Sequence, residues 1–339
     1  QLMILILLYS VGTVILHTPS PLAGFAKQDA WLAALFGTGI ALIFVWFYIR
    51  VGNLYPDLAL DQINEKVFGK LVGKMINLAF FFWSFSTAAE TTYYVGNFIK
   101  TFWMPDTPLV ALNILLAAVV IFTVRLGFET FTRTLEIFFI PVLLLLTIFL
   151  VSIIPQANIQ NIQPVFEGGA KPLIRAILFY VSVFTLSPVM FLMIFPSKVN
   201  ESKKGGKAFY IGTLIGGIIL ILVILLDILV LGPDNTARNI APSYTMAKKI
   251  NVGNFLMRIE AVIATIWIFT TYTRTVMYFY VSVVVFSNIF NIKDYRPFTT
   301  ALGMIMVFYS LIVFPTVSSS GEYNKNIWLF HAAAFGLVM

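Results

Sequence analysis

Val183-Phe184-Thr185-Leu186-Ser187-Pro188-Val189-Met190 sits in the middle of an apolar run, 174–195, long enough to cross a lipid bilayer. A proline there removes a backbone donor and its ring crowds the preceding turn, so this run is not one regular helix. It is the sixth of nine such runs, at 2–17, 30–49, 76–103, 109–124, 134–154, 174–195, 208–231, 256–286 and 297–314. A hydrocarbon core of about 30 Å is crossed by about 20 apolar residues of helix. A tenth apolar stretch begins at Asn326 and meets the end of the sequence. The expected fold is an all-α polytopic membrane protein of ten transmembrane helices, the last cut short and residues missing at both ends. It forms a single bundle over 1–339, with spans 1–5 in about 1–155 and spans 6–10 in about 172–339.

The first run carries a matching interruption, Tyr9-Ser10-Val11-Gly12-Thr13-Val14-Ile15-Leu16. Gly12 between Ser10 and Thr13 can open a turn at little steric cost. Either feature alone reads as a packing contact or a simple kink. Together, at corresponding mid-span positions of two five-span halves, Gly12 and Pro188 predict broken helices 1 and 6 in a five-plus-five inverted repeat, with backbone groups exposed at mid-membrane. A fainter echo joins Glu90-Thr91-Thr92-Tyr93 in the third span to Thr270-Thr271-Tyr272 in the eighth.

Composition agrees with a membrane chain. It is 59% hydrophobic and 11% charged, with mean hydropathy +0.91, where a soluble domain carries about 25% charged residues. The absence of Cys excludes a disulfide framework, thiol catalysis and Cys-ligated metal. The net charge of +7 lies mostly in loops, so nucleic acid is not an expected partner. Loops 2–3, 4–5, 6–7 and 8–9 hold twelve Lys and Arg against nine on the other side, which assigns the first set, and both termini, to the cytoplasm. Four of the nine lie in 232–258, read as a partly helical outer cap.

Two charges fall inside spans. Glu90 lies midway along the third among small and polar residues, where a carboxylate must face the interior, pair or take a proton. Its bland alternative is a neutral hydrogen-bonding residue between helices. Arg274 in the eighth span is estimated at about 14 Å from Glu90 in depth, so it is expected to snorkel or line a cytoplasmic vestibule. Both are proton or gating candidates. Asp227, Arg258 and Glu260 read as interface residues near outer ends. His17 and His331 are too isolated to suggest a metal site, and no catalytic triad, phosphate loop or dinucleotide fingerprint occurs. No enzyme activity and no cofactor are expected. The ligand site is expected between spans 1, 3, 6 and 8, at Gly12, Thr13, Glu90, Tyr94, Thr185, Ser187, Thr270 and Thr271, because broken helix ends offer unpaired amides and carbonyls.

Tyr55-Pro56-Asp57-Leu58, Gly69-Lys70-Leu71-Val72-Gly73-Lys74, Met104-Pro105-Asp106-Thr107-Pro108-Leu109, Arg133-Thr134-Leu135-Glu136-Ile137-Phe138-Phe139-Ile140-Pro141 and Arg258-Ile259-Glu260-Ala261 follow one another along the chain. This series resembles the B subunit of bacterial spore germinant receptors, of the amino acid–polyamine–organocation superfamily. The resemblance implies the five-plus-five (LeuT-like) fold and a small nutrient ligand, typically an amino acid, near the breaks. It also implies A and C subunits as partners in the spore inner membrane. This chain has Val14 where relatives often carry a second Gly, which narrows the backbone nest for a carboxylate, and 137–154 holds no Lys to stand in for sodium. Two readings stay open: a ligand-sensing receptor subunit, and a proton-coupled permease for amino acids or small solutes. A purely structural anchor explains neither the breaks nor Glu90.

Overall fold

The computed structural model describes residues 1–199, 201–249 and 259–338, and among these every regular element is helical. In order they are α1 (Leu2–Val11), α2 (Val14–His17), α3 (Pro19–Ala26), α4 (Ala30–Leu54), α5 (Leu60–Phe68), α6 (Lys70–Phe102), α7 (Leu109–Leu126), α8 (Phe128–Ile153), α9 (Ala170–Tyr180), α10 (Ser202–Leu231), α11 (Pro233–Arg238), α12 (Pro242–Lys248), α13 (Ile259–Ile289), α14 (Arg296–Ile312), α15 (Val317–Asn326) and α16 (Trp328–Val338). Six helical stretches are long and apolar enough to cross a membrane, and Leu2–His17 and Arg296–Ile312 are shorter apolar ones. α13 is also long, 31 residues, but its Thr, Tyr and Arg274 make it more polar.

Burial separates the centre from the lipid-facing rim. In the most apolar window of Ala170–Met193, 83% of residues are buried, against 17% in that of Phe128–Gln156. The interrupted sixth span is therefore an interior element, and the fifth is a rim helix whose exposed Ile137, Ile140 and Leu144 suit acyl chains. α6 and α13 pack together as the central pair, α1 lies along α10, and α10 along α4. Close approach uses small residues, as in membrane helix pairs generally. A Cβ on Gly217 of α10 would stand 2.3 Å from Thr38 Cγ2 of α4.

Both expected interruptions are present. α1 ends at Val11 and α2 begins at Val14, with Gly12 and Thr13 between. In the sixth span α9 gives way to a π turn, Val181–Thr185, and then to a 3-10 segment, Ser187–Met193, with Pro188 in its first turn. The stretch 232–249 folds as α11 and α12 over the ends of α2, α3 and α10. Ser243 Oγ bridges the Ile15 carbonyl (2.8 Å) and Asp227 Oδ2 (2.7 Å), so Asp227 is a fully buried link to this cap rather than an interface residue.

The last apolar stretch, expected from Asn326, is α16 from Trp328, and a separate polar helix, α15, precedes it from Val317, where Thr316 accepts from the Ser319 amide as an N-cap. Arg258 lies outside the described residues.

Candidate functional site

The two breaks meet across a small cavity with about 40 Å³ open to the centres of water molecules. That is room for about three waters. Thr13 and His17, four residues apart on one face of α2, line it with Thr87, Glu90, Thr91 and Tyr94 of α6, Val183 of the π turn, Arg274 of α13, Asn324 of α15 and Trp328 of α16. Glu90 is 4% exposed and Arg274 2% exposed. Among the described residues neither makes an ion pair within 4.0 Å. The Glu90 carboxyl is hydrogen-bonded by the Tyr323 hydroxyl, which also meets His331 Nδ1.

Arg274 corrects the depth estimate. It neither snorkels nor faces a cytoplasmic vestibule. α13 runs from Ile259 to Ile289, so Arg274 is its midpoint. Its neighbour Thr275 donates to Thr91, the neighbour of Glu90, at 2.9 Å, so the two charges lie at nearly the same depth. The Arg274 guanidinium donates to the Val183 carbonyl (3.0 Å) and Ser187 Oγ (3.0 Å), and lies 4.9 Å from the Tyr9 ring centroid.

The π turn and 3-10 segment free carbonyls that a continuous α-helix would engage. Three helices supply side-chain donors instead. Arg274 serves Val183, Tyr48 of α4 serves the Thr185 carbonyl (3.2 Å), and Tyr9 of α1 serves the Ser187 carbonyl (3.3 Å). The first break is held sterically. A Cβ on Gly12 would lie 2.8 Å from the Tyr9 carbonyl oxygen and 2.9 Å from Arg274 Cδ.

The expected site residues divide into two groups. Thr13, Glu90, Tyr94 and Arg274 line the cavity, Gly12 forms its hinge, and Ser187 reaches it through Arg274. Thr185, Thr270 and Thr271 are buried but do not line it. Thr270 Oγ1 turns back to the Ile266 carbonyl (2.8 Å), while Thr275, one turn further, bonds Thr91 (2.9 Å). His17, Asn324, Tyr323 and Trp328 were not anticipated. His17 stacks on Tyr94 at 4.9 Å, and Tyr94 donates to Asn324 Oδ1 at 3.1 Å. The i, i+4 spacing of Thr13 and His17 just beyond the Gly12 break was the available signal.

A buried acid and a buried base, unpaired with each other across a polar pocket, are costly in a fold that uses them only for packing. The arrangement brings a guanidinium, from Arg274, and a carboxyl, from Glu90, to one small cavity. The chain is an all-helical polytopic membrane protein with a small pocket, lined by polar and aromatic side chains, between two interrupted spans. Residues 1–318 match the family described as "Spore germination protein", and the chain belongs to that family. It is similar to spore germination protein KB of Bacillus subtilis (strain 168), 28% identical over 330 residues, 96% of this chain and 87% of that protein. It is similar as well to the putative spore germination protein YfkT of the same strain, 25% identical, covering 94% of this chain and 87% of that one. Spore germination protein GerLB of Bacillus cereus is 25% identical, with 87% and 80% covered.

Proposed function

We propose that this chain is the nutrient-sensing B-type subunit of a spore germination receptor, and not an enzyme. It binds a small nutrient, an amino acid or another compact polar molecule, between the breaks and signals by a conformational shift. The observation that carries this reading is the pair of buried, mutually unpaired charges, Glu90 and Arg274, beside two interrupted spans. The reading includes ten spans in a five-plus-five inverted repeat forming one bundle, both termini cytoplasmic, and location in the spore inner membrane with A and C subunits. The matched breaks support the repeat, as do the Thr-Thr-Tyr echoes on α6 and α13, which pack against each other. Gly12, Thr13, Glu90, Tyr94, Ser187 and Arg274 do the binding or shape it, while Thr185, Thr270 and Thr271 form the wall behind.

The size of the cavity supports the signalling half of the proposal. Space for about three waters is too little for a nutrient, so binding requires the walls to part. A ligand that binds only the expanded state shifts the population toward it. Coupling of about 1–3 kcal/mol is ordinary for such a shift.

Gly12→Leu tests the reading in spores. Leu crowds the Tyr9 carbonyl and Arg274, so germination on a mixture of amino acids and sugars should be lost. Thr13→Leu, which fills the same cavity without that clash, should lose it with the subunit at normal abundance by immunoblot. Normal germination at normal abundance would remove the ligand site from the breaks. The permease reading draws on the same breaks and on Glu90. Robust uptake of a nutrient by the isolated chain in liposomes would favour it over sensing.

A further inference from the structure

A second charged pair lies at the opposite end of the sixth span. Asp61, on the connecting helix α5, is 2% exposed. Its Oδ2 accepts from Asn288 Nδ2 near the end of α13, and its carbonyl accepts from Asn77 Nδ2 of α6 at 2.9 Å. Asn77 is itself held by Asn64 Nδ2 at 2.9 Å. This amide scaffold fixes the carboxyl, and its Oδ1 has no side-chain partner, only the backbone amides of Asp61 and Gln62 beside it in the first turn of α5.

Lys198 follows the 3-10 segment of the sixth span by five residues. Its ammonium donates to the Tyr280 hydroxyl of α13 and lies 5.1 Å from that ring's centroid. Among the described residues it has no carboxylate within 4.0 Å. It lines a cavity of about 680 Å³ beside Gln1, Phe128, Glu129 and Lys204. Burial raises the Asp61 carboxyl above the usual carboxylate range and lowers the Lys198 ammonium below the usual lysine range, and the Asp61 charge is felt at Lys198. Other charges nearby do not complete the pair: Glu129 and Glu201, which line the same cavity, are paired with Arg133 (2.7 Å) and Lys204 (2.8 Å). Lys74 of α6 donates to the Ile289 carbonyl at 2.6 Å, and Glu65, on the same helix as Asp61, adds only like charge.

We propose that Asp61 and Lys198 are the two halves of a cytoplasmic latch, open in this structure and closed as an ion pair when the second half of the sixth span moves toward α5. The segment from Ser187 to Lys198 carries both the acceptor of Arg274 at the break and the latch cation at its end. A shift that frees Ser187 from Arg274 therefore displaces Lys198 as well. Closing trades the lysine–tyrosine bond for an ion pair with the Asp61 oxygen that no side chain serves. The latch rests on the reading of the sixth-span break as the moving part.

The native chain contains no cysteine, so introduced thiols report without background. Asp61→Cys with Lys198→Cys, in membrane vesicles holding the full chain, is treated with a bis-methanethiosulfonate reagent about as long as a lysine side chain. Linkage of the two peptides by mass spectrometry is expected, and its absence with intact protein would overturn the latch. In spores exposed to the amino acid and sugar mixture, Asp61→Lys and Lys198→Asp should each slow germination at least tenfold at normal abundance. The double reversal should recover most of the rate, because the pair is restored with its signs exchanged. A double reversal no better than the worse single variant would also overturn the proposal. Linkage with single reversals that leave germination unchanged would make the two residues neighbours only and would overturn the latch, whereas the sensing role is tested separately by the cavity-filling variant.

Discussion

The first and sixth spans are broken at corresponding places but by different means. In the first, the interruption is two residues wide, and Gly12 holds it because no side chain fits between the Tyr9 carbonyl and Arg274. In the sixth, it is spread over the π turn and 3-10 segment from Val181 to Met193, and donors from α1, α4 and α13 satisfy its carbonyls. A sterically held break is sensitive to volume. A break held by hydrogen bonds is sensitive to the loss of a donor. Arg274 belongs to both, as the wall against Gly12 and the donor to Val183 and Ser187.

Loss of that shared residue should have the largest effect. Arg274→Gln shortens the side chain and removes the fork that reaches both acceptors. Ser187 Oγ would lose its buried donor and the Val183 carbonyl would keep only the Ser187 hydroxyl (2.6 Å), so stability should fall by about 2 kcal/mol. Denaturant or thermal melting in detergent checks this. A variant as stable as the parent would show that the sixth break needs no donor from α13. Arg274→Lys should recover only part of the loss, because one ammonium does not match the planar fork.

Glu90→Gln asks whether the acid on α6 serves the ligand or the packing. Gln keeps the shape and a bond to Tyr323 but removes the charge. Folding should be retained, and the nutrient concentration giving half-maximal germination should rise about tenfold, equivalent to about 1.4 kcal/mol. An unchanged dose–response curve would reduce Glu90 to a packing residue.

The smallest effect should come from Pro188→Ala. Pro188 stands at the start of the 3-10 segment, where a missing amide is cheap. The carbonyls around it are already served by side chains. Melting should change by under about 1 kcal/mol, with the response retained. Loss of response comparable to Gly12→Leu would mean that the proline, rather than its donors, maintains the sixth break.

The sequence exposed the breaks because Gly12 and Pro188 act through local backbone chemistry, which needs no knowledge of neighbours. It exposed the helical, membrane-spanning character of the chain for the same reason, through the length of its apolar runs. The position of Arg274 was misjudged because it was counted from the outer start of its span against a bilayer of about 30 Å, while α13 is 31 residues long and α6 is 33. Tyr323 and Asn324 were invisible as site residues because they lie in a polar stretch that tertiary packing makes helical and turns toward Glu90. Thr270 and Thr271 were chosen by analogy with Thr91 and Thr92. The register of α13 on α6 brings Thr275 against Thr91 instead.

The central claim is that a nutrient occupies the space between the two breaks. A thermal-shift panel of amino acids and sugars on the purified chain, run in parallel on Thr13→Leu, which fills the cavity from its wall, tests it most directly. The account predicts at least one compound that stabilises the parent, by about 2.7 kcal/mol at one hundred times its dissociation constant, and leaves the folded variant unshifted. Equal stabilisation of both proteins by that compound would put the ligand elsewhere and contradict the account.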